Sequence, residues 1–257
     1  MTSECHLWDN NSIVNIYFFN GTRHQQDKVW WGLEEYSKFV NLEFRECTFA
    51  SEGDIRIRFN VKVSKSCVGT RHKHDDDHRR PTMQLGKISD SKDCPIQQSN
   101  TILHELGHAL GLLHEHQSPA TFGQLTLKKE ETLRYFKKPD FGVKKILENI
   151  LERYTRKDVS CYSRRCDFQS VMIYHLPKRL NEEGIAIYTQ DSLSNMDKAY
   201  LTLCYPRLGE DSAEWSITKA LDIAGVLGEP RRRILAADDA DSIRQIFMEW
   251  NENEGEG

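Results

Sequence analysis

At 257 residues, with 38% hydrophobic and 29% charged side chains, the chain is long enough for one main domain with a small addition and too apolar for intrinsic disorder. A formal net charge of -4 creates no global positive field for nucleic acid or an anionic membrane surface, and no run is apolar and long enough to cross a bilayer. Nucleic acid partners and membrane insertion are therefore poor hypotheses. The basic groups Lys128-Lys129, Lys137-Lys138, Lys144-Lys145 and Arg231-Arg232-Arg233 mostly have acidic neighbours and read as solvated faces.

In chain order, Ser12 to Phe19 is rich in β-branched and aromatic residues and runs into Asn20-Gly21, which predicts a strand and a turn. From Gln25 to Val40, the residues Val29, Trp30, Leu33, Tyr36 and Val40 share one helical face that should pack on a sheet. Ile55, Ile57 and Phe59 alternate with Arg56 and Arg58, the pattern of a half-buried strand, and Thr82 to Leu85 is another strand candidate. The polar run from Arg71 to Arg80 sets His72, His74 and His78 around three aspartates; it reads as a surface loop, with a second ion site as the alternative.

A helix is expected from Gln98 to Leu110, capped by Ser99 or Asn100 and stopped by Gly111, with Ile102, Leu106, Ala109 and Leu113 facing the core. Helical patterns follow at about 128 to 135 and 143 to 154, then a cysteine-bearing loop at 161 to 167, and Ser194 can cap a helix through Leu203. Beyond Tyr205-Pro206, two amphipathic patterns, Ile217 to Val226 and Ser242 to Trp250, suggest a small helical extension (208–257). Packing against the main domain is its plainer role and docking a partner the alternative.

The segment HELGHALGLLH, His104 to His114, concentrates the chemistry. Residues i and i+4 share a helix face, so His104 and His108 can aim at one ion; a sharp turn at Gly111 brings His114 round as a third ligand. Three neutral imidazoles suit Zn2+ and leave a fourth position open, the mark of a catalytic site. Glu105 is placed to take a proton from water there. This spacing, with a methionine turn downstream, is the metzincin signature, and Ser170-Val171-Met172-Ile173-Tyr174 supplies a candidate for that turn.

On these motifs the chain resembles the astacin-type zinc metallopeptidases, nearer their microbial branch, over residues 7–207. The resemblance implies that Tyr174, two residues after Met172, binds zinc and can swing to stabilise the oxyanion. It also implies a Cys67–Cys94 disulfide and a peptide-binding edge strand at Met83-Gln84-Leu85-Gly86. Glu115 corresponds to the glutamate that fixes a processed N-terminus in animal members; here EHQSPA follows His114 and the usual arginine is lacking, so Glu115 is assigned to supporting the ligands.

The expected fold is α/β and metzincin-like: a twisted mixed sheet backed by a long helix and the zinc helix, above a more irregular lower half. The expected activity is zinc-dependent endopeptidase cleavage of a peptide lying extended in the cleft between the halves. A noncatalytic peptide-binding module and a metal-sequestering protein are the rivals. The first ten residues lack the basic start and apolar run of a signal peptide, which leans toward an intracellular protein, whereas the resemblance implies secretion. Seven cysteines leave at least one unpaired within the chain. Substrate preference and oligomeric state are not legible.

Overall fold

The computed structural model describes residues 2, 6–72, 77–93, 96–138, 141–159, 163–209 and 215–253. Its upper half is one five-stranded sheet of β1 (Ile13–Phe18), β2 (Glu43–Glu46), β3 (Ile55–Val61), β4 (Lys65–Ser66) and β5 (Met83–Gly86), in the order β2-β1-β3-β5-β4. β4 is antiparallel to β5 and the other pairings are parallel. The parallel β1–β2 pair needs a crossover, and α1 (Arg23–Ser37) provides it. That helix starts two residues before the expected Gln25 and ends at Ser37 rather than Val40; Thr22 Oγ1 accepts from Gln25 N and Gln25 Oε1 accepts from Thr22 N, a reciprocal cap.

β3 departs from the half-buried pattern. Arg56 is only 4% exposed, because its guanidinium donates to the carbonyls of Arg80 and Gly53, so an alternating charge lies inside the protein once backbone acceptors receive it. The sheet edge also differs from the expected one. Met83–Gly86 is a strand but lies between β3 and β4, with Met83 and Gln84 paired to Ser66 and Lys65. Gly86 N–H donates to Ser64 Oγ. The edge of the sheet on this side is therefore β4, a strand too short to show a period.

α2 (Ile96–Ala109) carries the histidine motif and begins before Ser99 and Asn100, which lie inside it and are not its cap. Asn100 instead donates to Gln190 O across the cleft. At its C-terminal end, Leu112 N–H bonds Gly107 O and Gly111 N–H bonds His108 O, with Gly111 at φ 96°. This closed turn requires the left-handed residue that glycine supplies at least cost. Two further end carbonyls of the helix take side-chain donors, Ala109 O from Trp8 Nε1 (2.8 Å) and Leu110 O from Tyr205 Oη (2.8 Å). The guanidinium of Arg244 lies over the Tyr205 ring and donates to Trp8 O.

After His114 the backbone becomes irregular, through 3-10 turns at Glu115–Gln117 and Pro119–Thr121, then α3 (Lys129–Phe136) and α4 (Val143–Ile146), which continues as a π turn at Leu147–Leu151. This lower half has its own apolar cluster of Leu125, Cys166, Ile173, Leu176, Leu180 and Ile187. α5 (Asn195–Cys204) returns to the main core behind a Ser194–Asp197 capping box.

Among the described residues the C-terminal part holds three helices where the pattern suggested two: α6 (Ile217–Ala224), α7 (Gly228–Leu235) and α8 (Ala240–Asn253). α7 has Ile234 as its buried residue and so shows no amphipathic repeat. Ala220, Leu221, Ile234, Ile243 and Phe247 join the same apolar cluster as the sheet and α2. Among the described residues no helix is long and apolar enough to cross a membrane.

Candidate active site

His104, His108 and His114 are buried, at 9%, 8% and 8% exposure, and one ring nitrogen of each lies within 4.8 Å of the others. The opposite nitrogens are engaged: His104 Nδ1 with Val171 O at 3.0 Å, His108 Nδ1 with Leu112 O at 2.8 Å, and His114 Nδ1 with Gln117 Oε1 at 3.0 Å. A carbonyl only accepts, so Nδ1 of His104 and of His108 carries the proton and Nε2 presents a lone pair. His108 Nε2 and His114 Nε2 are 3.1 Å apart. Lone pairs converging this closely in a buried site suit a shared cation, and the nitrogen-only donor set suits zinc. Burial also pushes the ring pKa values down, that of His108 to about 3, which keeps these rings neutral ligands.

Glu105 is 6% exposed and its Oε2 has no hydrogen-bond partner. Burial pushes its carboxyl up to about 8. Because this folded value lies above the ordinary 4.5, the metal-free fold is not penalised below pH 4.5 and loses stability as pH rises toward 8. Metal-free Glu105→Gln should thus match the wild type near pH 4 and exceed it by roughly 2 to 4 kcal/mol at pH 9. Urea unfolding at the two pH values checks this; parallel stability at both would contradict it.

Residues 170–174 lie against the motif helix. A Cβ on Gly107 would come within 2.5 Å of Met172 Sδ, so this glycine allows the methionine to approach α2 directly. Asp197 holds the turn: its carboxylate accepts from Ser170 Oγ (2.7 Å) and Val171 N–H (2.9 Å). The Tyr174 ring stands 4.6 Å from that of His114, 5.7 Å from His104 and 4.7 Å from His116. Burial, then the charge of Glu105, raises its hydroxyl pKa, so Tyr174 stays a donor at neutral pH. Glu115 is 3% exposed and accepts from Asp167 N–H and Ser163 Oγ; burial pushes its pKa up to about 7.

A cavity of about 460 Å³ opens over the cluster, lined from above by Ser64, Asn100 and Thr101, and from below by Phe136, Tyr174 and His175 among others. His104, Glu105 and Tyr174 border it, and His108 and His114 complete the cluster behind them. Met83, Gln84, Leu85 and Gly86 are not among its lining residues. Cys94 and His74 lie outside the described residues, as do residues 73–76 of the histidine and aspartate run. Asp77 in that run bonds Arg79 and Arg80. Among the described residues, His104, His108 and His114 form the group of metal-ligating side chains. Gln117 was not anticipated: a glutamine three residues past a ligand looks like ordinary surface polarity until the fold buries it.

The sheet, the helix presenting two histidines and the turn delivering a third define a zinc metallopeptidase. A model of the astacin peptidase family matches residues 1–199, and the chain belongs to that family. Among solved structures, one of myroilysin is 28% identical, with a TM-score of 0.72 over 80% of this chain and 98% of that one. A crystal structure of myroilysin is 29% identical, with a TM-score of 0.58 over 79% and 86%. The high choriolytic enzyme 1, a hatching-enzyme zinc protease of the medaka fish Oryzias latipes, shares the fold at 14% identity, with a TM-score of 0.53 over 80% and 96%. Comparison with curated proteins gives no match.

Proposed function

We propose that this chain is an endopeptidase in which Glu105 is the general base and Tyr174 the oxyanion donor. The observation that carries the reading is the buried, unpartnered Oε2 of Glu105 on the wall of the cavity that His104 and Tyr174 also line. His104, His108 and His114 would hold the zinc, which when bound supplies Lewis acidity toward a water and the scissile carbonyl. Glu105 takes the proton of the attacking water at Oε2 and returns it to the leaving amine, converting a poor leaving group into a neutral one. The hydroxyl of Tyr174, kept protonated by burial, donates to the oxygen on which negative charge develops.

Met172 forms the floor beneath the ligands, and Glu115 anchors the chain leaving His114 to residues 163 and 167. The substrate backbone lies along β4, with Met83–Gly86 as the strand behind it, so the peptide extends the sheet by one strand. A Cys67–Cys94 disulfide would bracket the stretch between β4 and α2, β5 included.

A peptide blocked at both ends tests the endopeptidase reading. The expected result is internal cleavage by the zinc-loaded protein; trimming confined to peptides with free ends would contradict it. Tyr174→Phe removes one donor to the developing charge and should lower kcat about 10²-fold with little change in KM. A kcat within twofold of wild type would remove Tyr174 from the reaction.

A further inference from the structure

The three ligands are supported unequally. His104 and His108 present Nδ1 to the backbone carbonyls of Val171 and Leu112, whereas His114 presents Nδ1 to a side chain, Gln117. An amide can offer either its oxygen or its nitrogen, so this contact would fix nothing unless the amide were itself oriented. It is oriented: Gln117 Nε2 donates to Glu148 O at 2.8 Å and to Glu152 O at 2.7 Å. Both partners are pure acceptors, so NH2 must face them and Oε1 must face the ring. His114 Nδ1 then has to carry the proton, which leaves Nε2 as the free lone pair. At 2% exposure Gln117 has no solvent alternative, and its backbone carbonyl is held by Tyr154 N–H.

The π turn explains why the Glu148 carbonyl is available, and Glu152 is the extended residue that ends it. In a regular helix Glu152 N–H would bond Glu148 O, but here it bonds Leu147 O at 2.8 Å. That one-residue slip frees Glu148 O for Gln117. The neighbouring Asn149 O receives the His116 ring at Nε2, at 3.1 Å. π turns are uncommon and occur frequently at functional sites; this one presents three carbonyls to the two residues that follow Glu115.

We infer that Gln117 is the positioning residue for the third zinc ligand, locked by the π turn at 147–151 so that His114 is held as the Nδ1–H tautomer with Nε2 toward the metal. Gln117 touches neither substrate nor reacting atoms, and its effect is on how tightly the site holds zinc. Helix α4 and its π turn thereby become part of the metal site although no residue in them is a ligand.

Zinc affinity of Gln117→Met and Gln117→Glu, measured by competition with a chelator, tests this. Methionine matches the length but cannot accept from the ring, and zinc should bind 10- to 100-fold more weakly, with circular dichroism of the metal-free protein unchanged. Glutamate, when protonated, can accept at one oxygen and donate to a freed carbonyl from the other, so Gln117→Glu should recover part of that loss. A folded Gln117→Met protein that binds zinc within twofold of wild type overturns the inference. If Gln117→Met does not fold, 15N shifts of labelled histidine in the metal-free wild type decide: the Nδ1–H form of His114 supports it, and the Nε2–H form overturns it.

Discussion

Glu105→Gln is expected to retain one zinc per chain and to lose about 10² to 10⁴ in kcat, the range that a positioned general base contributes. The substitution is nearly isosteric, and none of the ligand hydrogen bonds passes through Glu105: the ring nitrogens opposite the metal are held by Val171, Leu112 and Gln117. The metal should therefore stay while the proton acceptor is lost. Metal content and steady-state kinetics on one preparation separate the two effects. Wild-type turnover in a zinc-replete variant would contradict the role of Glu105, and loss of zinc would show that the carboxylate helps to retain the ion.

Asp197→Ala should be the most damaging substitution outside the ligands. Its carboxylate, 9% exposed, accepts from Ser170 Oγ, Val171 N–H and Ser194 N–H. Alanine would orphan three buried or partly buried donors, among them the Ser194 N–H of the α5 capping box, for a loss of about 3 to 5 kcal/mol. The damage should reach the metal as well, because the carbonyl of Val171 orients His104 and its N–H is fixed by Asp197. Urea unfolding of the zinc-loaded protein measures the first effect, and the rate of zinc release to a chelator the second. A loss of stability below 1 kcal/mol would mean that the turn at 170–174 holds itself.

The site was more legible in the sequence than the scaffold. His104, Glu105, His108 and His114 could be read because i and i+4 geometry and a glycine stop are local rules, and one short segment contains them all. Gln117 could not, since its role depends on carbonyls 31 and 35 residues away, the first of them freed by a π turn, and no periodicity announces a π turn. The sheet edge was misplaced for a different reason: the resemblance put it at Met83–Gly86, and β4, which spans two residues, shows no alternation that would announce it. Lys28 and Arg56 look like solvent-facing charges, yet both are 4% exposed because distant acceptors receive them: Lys28 Nζ reaches Ser89 O and Gln98 Oε1, and Arg56 reaches Arg80 O. The C-terminal helices were legible where they are amphipathic, in α6 and α8, and hidden in α7, where arginines surround its buried Ile234.

The His104–His108–His114 site is expected to cleave peptide chains internally, and only with zinc. The most direct test is digestion of a denatured protein mixture by the zinc-loaded, the chelated and the zinc-restored protein, with new termini identified by mass spectrometry. Internal cuts that disappear on chelation and return with zinc are expected. Cuts that persist without the metal, or an absence of new termini despite one bound zinc per chain, would contradict it.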